Sequence, residues 1–312
     1  MTLKFNRRSF IKKGAAISAV SVLGARFFPS ISIGKETSEE IDISVVQGEN
    51  YFENTIKAVE QLGGMKKFVP KGSKVAILPN VQRNNPGAFT KPEIVKAVVR
   101  MCKEAGAKEV NCISMLPEEN WKSTGNYAVL EEEGANLVIV ERKETEFKPV
   151  SVPKGKSLTE ARIMKEFFKN DIFITIPVTK DHAGNKFTGT LKNMMGINSP
   201  QNNRSFHKEN WTTDLNSIKY LDQCIADLNT IVKPDLCVVD ATEFIITNGP
   251  FGPGELIKPQ KVVAGTDRVG VDSYCCTLWD LYPEDILTIR NAFDHGLGVI
   301  DLDKLIIKEI KI

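Results

Sequence analysis

The feature that most constrains the fold is an alternation of short apolar segments with helix-like segments from residue 43 onward. Residues 74–78, 110–114 and 171–176 each contain apolar residues at successive positions, which is typical of strands covered on both faces. Strands separated by helices favour a parallel sheet. The sequence therefore predicts an α/β fold, with a mainly parallel sheet and helices on both of its faces.

The same pattern divides the remaining chain into elements without a Pro/Gly/Ser linker or an internal repeat, so residues 33–312 are predicted to form a single α/β domain. Residues 177–212 interrupt the alternation and are predicted to be a long polar loop insertion with a binding role. The predicted strands are 43–46, 74–78, 110–114, 137–140, 171–176, 236–239, 262–264 and 305–310, and the predicted helices are 51–62, 90–105, 126–133, 158–169, 214–232 and 267–281.

The first 32 residues have the pattern of an export signal. Arg7 and Arg8 precede Phe10, an apolar stretch follows over 14–25, and small residues at 30 and 32 offer a cleavage site. This order predicts a twin-arginine signal peptide over 1–32, the twin-arginine translocase as a partner, and a periplasmic or cell-envelope location. Membrane attachment is expected only through an uncleaved signal. The alternative interpretation is the basic start of a cytosolic helix.

Charge and cysteine usage exclude several classes of partner and cofactor. The chain has 41 basic and 39 acidic residues, but residues 1–32 hold six basic residues and no acid. The slightly acidic remainder gives no reason to expect nucleic acid as a partner. None of the six cysteines forms a Cys-x-x-Cys pair, so no iron–sulfur cluster motif is present and buried free thiols are expected.

Polar residues follow several predicted strands, where ligands of open α/β sheets bind. We predict catalytic roles for His182, His207 and Asp240, and ligand-binding roles for Asn80, Lys180, Lys192, Asn193, Asn248 and Gly249.

Each candidate has a chemical role and a structural alternative. Lys180 and Lys192 are predicted to hold a carboxylate or phosphate, or else are solvated loop charges. His182 and His207 are candidate metal ligands or proton-transfer groups, or else surface histidines. Asp240 is a candidate base or metal ligand, or else caps the next segment.

The amide and loop candidates are treated in the same way. Asn80 and Asn193 offer amide groups to a ligand, or else form turns. Asn248 and Gly249 begin a Gly- and Pro-rich loop that forms a rigid turn. The sequence lacks Gly-x-Gly-x-x-Gly after a strand, Gly-x-Ser-x-Gly and His-Glu-x-x-His, which removes support for a dinucleotide fingerprint, a serine hydrolase elbow and a zincin helix.

Ordered blocks over roughly 42–300 resemble the bacterial and archaeal domain-of-unknown-function family number 362. They are Pro-Asn at 79–80, Pro-x-x-Lys-x-His at 177–182, Leu-Lys-Asn-x-x-Gly at 191–196 followed by His207, Lys-Pro-Asp-Leu at 233–236 and Gly-Thr-Asp at 265–267. Leu78 stands where the family usually has Lys, and the sequence contains no clustered cysteines like those of the ferredoxin-like module that many members carry. The resemblance implies a fold and a site but no reaction.

Together these observations predict an exported protein that binds an anionic small molecule or cofactor at the carboxyl ends of its strands. Metal-assisted or redox enzyme chemistry is one interpretation, with a divalent metal held by His182 and His207. The alternative is a non-catalytic exported ligand-binding, accessory or maturation protein. Whether the protein is an enzyme is left open by the sequence.

Overall fold

A computed structural model describes residues 40–312, so the predicted signal peptide over 1–32 lies outside the described residues. The strands are β1 Ile43–Gln47, β2 Lys74–Pro79, β3 Glu109–Ser114, β4 Asn136–Ile139, β5 Phe147–Ser151, β6 Glu160–Met164, β7 Ile172–Ile176, β8 Leu236–Ala241, β9 Phe244–Ile245, β10 Leu256–Ile257, β11 Lys261–Gly265 and β12 Ile307–Lys311. The helices are α1 Tyr51–Gln61, α2 Pro92–Glu104, α3 Glu118–Ser123, α4 Asn126–Glu133, α5 Thr190–Asn193, α6 Pro200–Phe206, α7 Leu215–Asn229, α8 Arg268–Cys276 and α9 Leu287–Asp294.

Eight strands form the central sheet in the order β12-β1-β11-β8-β7-β2-β3-β4. The pairs β1–β12, β8–β7, β7–β2, β2–β3 and β3–β4 are parallel, whereas β11 is antiparallel to both of its neighbours. Seven strands therefore point the same way and one is reversed. This arrangement confirms the predicted mainly parallel α/β sheet.

The two faces of the sheet carry separate apolar cores, as successive residues of β2 show. Val75 and Ile77 belong to the core that also contains residues of α1 and α2. Ala76 and Leu78 belong to the other core, which contains residues of α7, α8 and α9. Because neighbouring strand residues point to opposite faces, both faces of the strand are buried, as its continuous apolar run predicted.

The predicted helix over 158–169 is wrong. Residues 160–164 form β6, which pairs antiparallel with β5, and a short 3₁₀ turn follows over Lys165–Lys169. Ala161 and Ile163 are buried and alternate with less buried Glu160 and Arg162, which is the period of a strand. The side chains of this segment favour a helix, so the alternation of a strand was not recognised in the sequence. Pairing with β5 overrides this weak helix propensity in the folded protein.

Residues 177–212 differ from the predicted single polar loop. The segment contains the short helices α5 and α6 with a 3₁₀ turn over Met194–Ile197 between them. Much of it is buried, including Leu191, Met194 and Ile197. Apolar residues placed between Asn and Lys residues anchor the segment to the core, so it forms a shaped wall rather than a loose loop.

The cysteine prediction is confirmed, because all six cysteines are buried and free. Burial raises the pKa of Cys102 to about 12, which keeps that thiol protonated at neutral pH. None of the helices formed by residues 40–312 is long and apolar enough to cross a bilayer.

Candidate functional site

A cavity of about 600 Å³ lies at the carboxyl ends of the parallel strands. Asn80 follows β2, Met115 follows β3, Arg142 follows β4, and Lys180 and His182 follow β7, and all of them line it. The chain runs from β2 outward to β3 and β4, then returns to β7 on the other side of β2. The cavity therefore lies at a topological switch point, the usual ligand site of such sheets.

The lining of the cavity is basic. Arg142, Lys180, Lys192 and Arg204 line it together with the histidines 182 and 207, and none of the described residues in its wall is Asp or Glu. Six of the nine sequence-predicted site residues line this one cavity: Asn80, Lys180, His182, Lys192, Asn193 and His207.

Lys180 is 1% exposed, although lysine is ordinarily a cation at neutral pH. Its Nζ donates a hydrogen bond to the carbonyl oxygen of Ala88 at 2.6 Å. Its backbone pairs with Thr188 in a short bridge, which fixes the residue shortly after the end of β7. Burial, together with the charge of Lys192, lowers the pKa of Lys180 to about 7. A bound anion would compensate this buried charge.

Lys192 lies in α5 and is half-buried. Its Nζ donates to Oδ1 of Asn185 at 3.2 Å and lies 3.9 Å from Sδ of Met195. Asn185 in turn donates from Nδ2 to Oδ1 of Asp222 at 2.6 Å, and Asp222 also accepts from the Thr288 hydroxyl. Burial lowers the pKa of Lys192 to about 8, and the charge of Asp222 opposes this shift.

His182 and His207 both pack against the indole of Trp211. Their ring centroids lie 5.2 Å and 4.7 Å from that of Trp211. Nδ1 of His182 lies 2.7 Å from the carbonyl oxygen of Ala183, and Nδ1 of His207 lies 2.7 Å from that of Asn203. A carbonyl only accepts, so each Nδ1 carries the proton and each Nε2 keeps a lone pair. Burial lowers the pKa of both imidazoles, so both are neutral at neutral pH.

This tautomer suits either a metal ligand or a proton acceptor. Among residues 40–312, no three His, Cys, Asp or Glu side chains converge as potential metal ligands. A metal held by His182 and His207 would therefore complete its coordination with ligand or water oxygen atoms.

The start of α5 is fixed by the buried carboxylate of Asp272, which lies in α8. Asp272 accepts hydrogen bonds from the backbone N–H groups of Thr190 at 2.6 Å and Leu191 at 2.9 Å. A Cβ at Gly189 would lie 2.4 Å from Oδ1 of Asp272, so only glycine permits this close approach. Burial raises the pKa of Asp272 to about 7. Asp272 thus positions the helix that carries Lys192.

The two predicted asparagines shape the cavity wall. Nδ2 of Asn193 donates to the carbonyl oxygen of Leu78 and to Oγ1 of Thr175, both at 2.9 Å, which ties α5 to the ends of β2 and β7. Oδ1 of Asn80 accepts from the backbone N–H of Gln82 at 3.3 Å, which is the turn anticipated as its alternative role.

Asp240, Asn248 and Gly249 do not line the cavity. Asp240 is fully buried, and its carboxylate accepts from the backbone N–H of Lys91 at 2.8 Å and from the backbone and hydroxyl of Thr242. It therefore fixes the approach to α2, in agreement with its structural alternative. Asn248 is exposed, and its Nδ2 donates to the carbonyl oxygen of Pro253 at 3.2 Å.

Gly249 packs against the segment that carries His182. Its N–H donates to Oδ2 of Asp181 at 2.7 Å, and a Cβ there would lie 1.8 Å from the carbonyl oxygen of Asp181. We expect Gly249→Ala to lower the free energy of unfolding by about 2–3 kcal/mol, because backbone must move to admit the methyl group. Urea denaturation measures this loss. Gly196→Ala is the control, since its Cβ would meet only the Leu78 side chain at 3.2 Å. Equal stability of both variants would contradict the packing role.

Three contributors to the site escaped sequence analysis. Arg142 lies shortly after β4, where the strand-end rule applies equally. Arg204 lies in α6, three positions before His207, and only the fold brings that helix to the cavity. Thr188 lines the cavity, and its buried Oγ1 has no hydrogen-bond partner in the described chain.

Comparison with known proteins places this site within a family. Residues 75–277 match the family described as Domain of unknown function (DUF362). This chain belongs to the DUF362 family. The matched segment includes all six predicted residues that line the cavity.

Two similar proteins extend the comparison beyond DUF362 itself. The thylakoid-associated protein sll1697 of Synechocystis sp. is 28% identical over 164 residues, which are 49% of this chain and 50% of that protein. The chain thus spans about half the length of this curated relative. The solved lactate racemase apoprotein of Thermoanaerobacterium thermosaccharolyticum is 15% identical, with a TM-score of 0.47 over 77% of this chain and 57% of that chain.

Proposed function

We propose that this DUF362 protein binds a small anion, with a carboxylate or phosphate group, in the cavity at the carboxyl ends of β2 and β7. The observation that carries the proposal is the lining of the cavity. It contains Arg142, Lys180, Lys192 and Arg204, and none of the described residues that line the cavity is Asp or Glu. Cations crowded without counter-charges raise one another's free energy, and an anion removes this cost. Charge-assisted hydrogen bonds then add to the attraction.

A panel of anions tests the proposal. Sulfate, phosphate and small mono- and dicarboxylates are added at constant ionic strength while the melting temperature is followed. A ligand at about 100 times its Kd stabilises the folded protein by about 2.7 kcal/mol, which raises the melting temperature by several degrees. Chloride at equal ionic strength is the control. The proposal fails if no anion exceeds chloride.

The affinity for sulfate is expected to fall as the pH rises from 7 to 9. Burial lowers the pKa of Lys180 to about 7 and that of Lys192 to about 8, so both lose their protons in this range while sulfate keeps its charge. The anion binds the protonated lysines better, so binding takes up protons, and above each pKa the affinity falls by about tenfold per pH unit for each lysine. Isothermal titration calorimetry at several pH values measures this slope.

Asp222→Asn provides the control for this pH dependence. The charge of Asp222 raises the pKa of Lys192, so its removal is expected to weaken sulfate binding at pH 8, where Lys192 then loses more of its proton. At pH 6 Lys192 is protonated in both proteins, and the difference is expected to be small. A loss of equal size at both pH values would indicate a packing defect instead of a charge effect.

The two neutral histidines favour an enzyme over a carrier. His182 and His207 each keep a lone pair on Nε2 and line the same cavity as the lysines. Side chains of this kind, placed beside a bound ligand, act as general acids and bases. The non-catalytic alternative predicts reversible binding of a ligand that is recovered unchanged. Mass spectrometry of a ligand identified in the panel, after prolonged incubation, separates the two.

A divalent metal at the same histidines is a separate hypothesis. Elemental analysis of the protein purified after export is expected to give about one metal per chain if His182 and His207 are ligands, and less in His207→Ala. Metal content at background in both proteins would leave proton transfer as the role of these residues.

Export through the twin-arginine translocase is proposed from residues 1–32. Arg7 and Arg8 precede the apolar segment 14–25 in the order of such signals. Changing both arginines to lysine is expected to retain the protein in the cytoplasm, as measured by cell fractionation. Export of the double-lysine variant to the same extent as the original protein would contradict this route. The mass of the exported chain reports whether the signal is cleaved or retained as a membrane anchor.

A further inference from the structure

We propose that the amine of Lys192 forms an imine with the carbonyl group of a small anion, so that the substrates are aldehydes or ketones that also carry a carboxylate or phosphate. This inference rests on the proposed anion site and adds a covalent step to it. It names Lys192 as the nucleophile and the remaining cations as the groups that hold the charged end of the substrate.

The contacts of Lys192 differ from those of an ordinary lysine. Its Nζ meets only the Asn185 amide oxygen at 3.2 Å and the Met195 sulfur at 3.9 Å, and in the described part of the chain no carboxylate lies within ion-pair distance. The side chain is half-buried and lines the cavity, so its amine is accessible to a bound molecule. These contacts orient the amine and do little to hold its proton.

The surroundings raise the fraction of Lys192 that is the neutral amine, which is the nucleophilic form. Burial lowers the pKa of Lys192 to about 8, and the charge of Asp222 limits this shift through the intervening Asn185. About a tenth of the amine is then neutral at pH 7, on the order of a hundredfold more than for an exposed lysine with a pKa of about 10.4. Lysines desolvated beside another cation are activated in this way.

The same cavity contains cationic side chains that can bind the charged end of the substrate. Lys180, Arg142 and Arg204 line it with Lys192, so a carboxylate or phosphate has partners other than the reacting amine. A volume of about 600 Å³ accommodates a small metabolite. An anion that also carries a carbonyl group therefore satisfies both features of the cavity.

The reaction balances without an oxidant or a metal. The Lys192 nitrogen attacks the carbonyl carbon, a proton moves from nitrogen to oxygen, and the resulting carbinolamine loses that oxygen as water. One C–N double bond replaces one C–O double bond, and one water leaves. His182 and His207, neutral and with a free Nε2, are suited to take the proton from nitrogen and return it to the departing hydroxyl.

Reductive trapping tests this step. The full protein is incubated with glyoxylate and cyanoborohydride at pH 7, which converts an imine to a stable secondary amine, and peptide mapping locates the modified lysine. We expect Lys192 to be modified at least about tenfold faster than exposed Lys57. Sulfate is expected to suppress the modification, and acetaldehyde, which lacks the anionic group, to react more slowly. Modification that is no faster at Lys192 than at Lys57, or that occurs first at Lys180, would overturn the assignment.

Sulfate binding and adduct formation in the unaltered protein separate this inference from the proposed anion site. Lys192→Arg is a second control, because arginine keeps a positive charge but is not nucleophilic at neutral pH. We expect this variant to lose the glyoxylate adduct in the cavity and to keep the adducts at exposed lysines such as Lys57. If the unaltered protein binds sulfate yet gives no adduct at Lys192, the imine is excluded and the anion site stands. If it binds no anion either, both fail. Mapping of the unaltered protein decides the matter even if the variant does not fold.

Discussion

Lys192→Ala is expected to weaken the binding of sulfate and small carboxylates by about tenfold to a hundredfold at pH 7. The substitution removes one charge-assisted hydrogen bond to the ligand, and such bonds contribute about 1.5–3 kcal/mol. Lys192 is only half-buried and forms no ion pair with a residue in the range 40–312, so we expect the free energy of unfolding to change by less than about 1 kcal/mol. Calorimetry at pH 7 and urea denaturation measure the two effects.

Two variants make this result interpretable. Lys57→Ala removes a surface lysine that contacts Glu60 on α1, far along the sequence from the cavity residues, and is expected to leave the affinity unchanged. Lys192→Arg keeps the charge and is expected to restore most of the binding lost in Lys192→Ala. If all three proteins bind sulfate with equal affinity, Lys192 holds no anion and the proposed site is wrong.

The central sheet was predictable because each of its eight strands carries a local signal. The apolar segments 74–78 and 171–176 are covered on both faces, and their sequences contain no alternation that a solvent-facing strand would need. The site followed from the same regularity. Parallel strands bring their carboxyl ends together, so Asn80, Lys180 and His182 were expected to meet although about a hundred residues separate the first from the others.

What the sequence could not supply is the direction and burial of each polar side chain. Asp240 lies near the end of a strand, as Lys180 does. Its carboxylate, however, accepts hydrogen bonds from the backbone N–H groups of Lys91 and Thr242 and does not reach the cavity. No local pattern distinguishes these outcomes, because the partners come from distant segments. Arg204 lines the cavity but was not predicted to do so. Its helix reaches the cavity only because buried residues of 190–206 fold that segment into a wall.

Asp272 shows the same limit most clearly, because in the sequence it is only a polar residue inside a predicted helix. In the folded protein its two carboxylate oxygens accept the N–H groups of Thr190 and Leu191, 82 and 81 residues away. Asp272→Ala leaves two buried backbone donors without acceptors, each costing about 1–3 kcal/mol. We therefore expect a loss of about 2–4 kcal/mol in the free energy of unfolding, together with weaker anion binding because α5 carries Lys192.

Ser273→Ala is the matched control on the same helix. Ser273 is also fully buried, but its hydroxyl has no hydrogen-bond partner among the described residues, so its removal is expected to cost little. Asp272→Asn adds a finer comparison: its single amide oxygen can accept one of the two N–H groups, while its NH₂ group faces the other donor. From the most stable to the least stable variant, the expected order is Ser273→Ala, Asp272→Asn and Asp272→Ala. Urea denaturation gives this order, and an Asp272→Ala variant as stable as Ser273→Ala would show that α5 does not depend on the carboxylate.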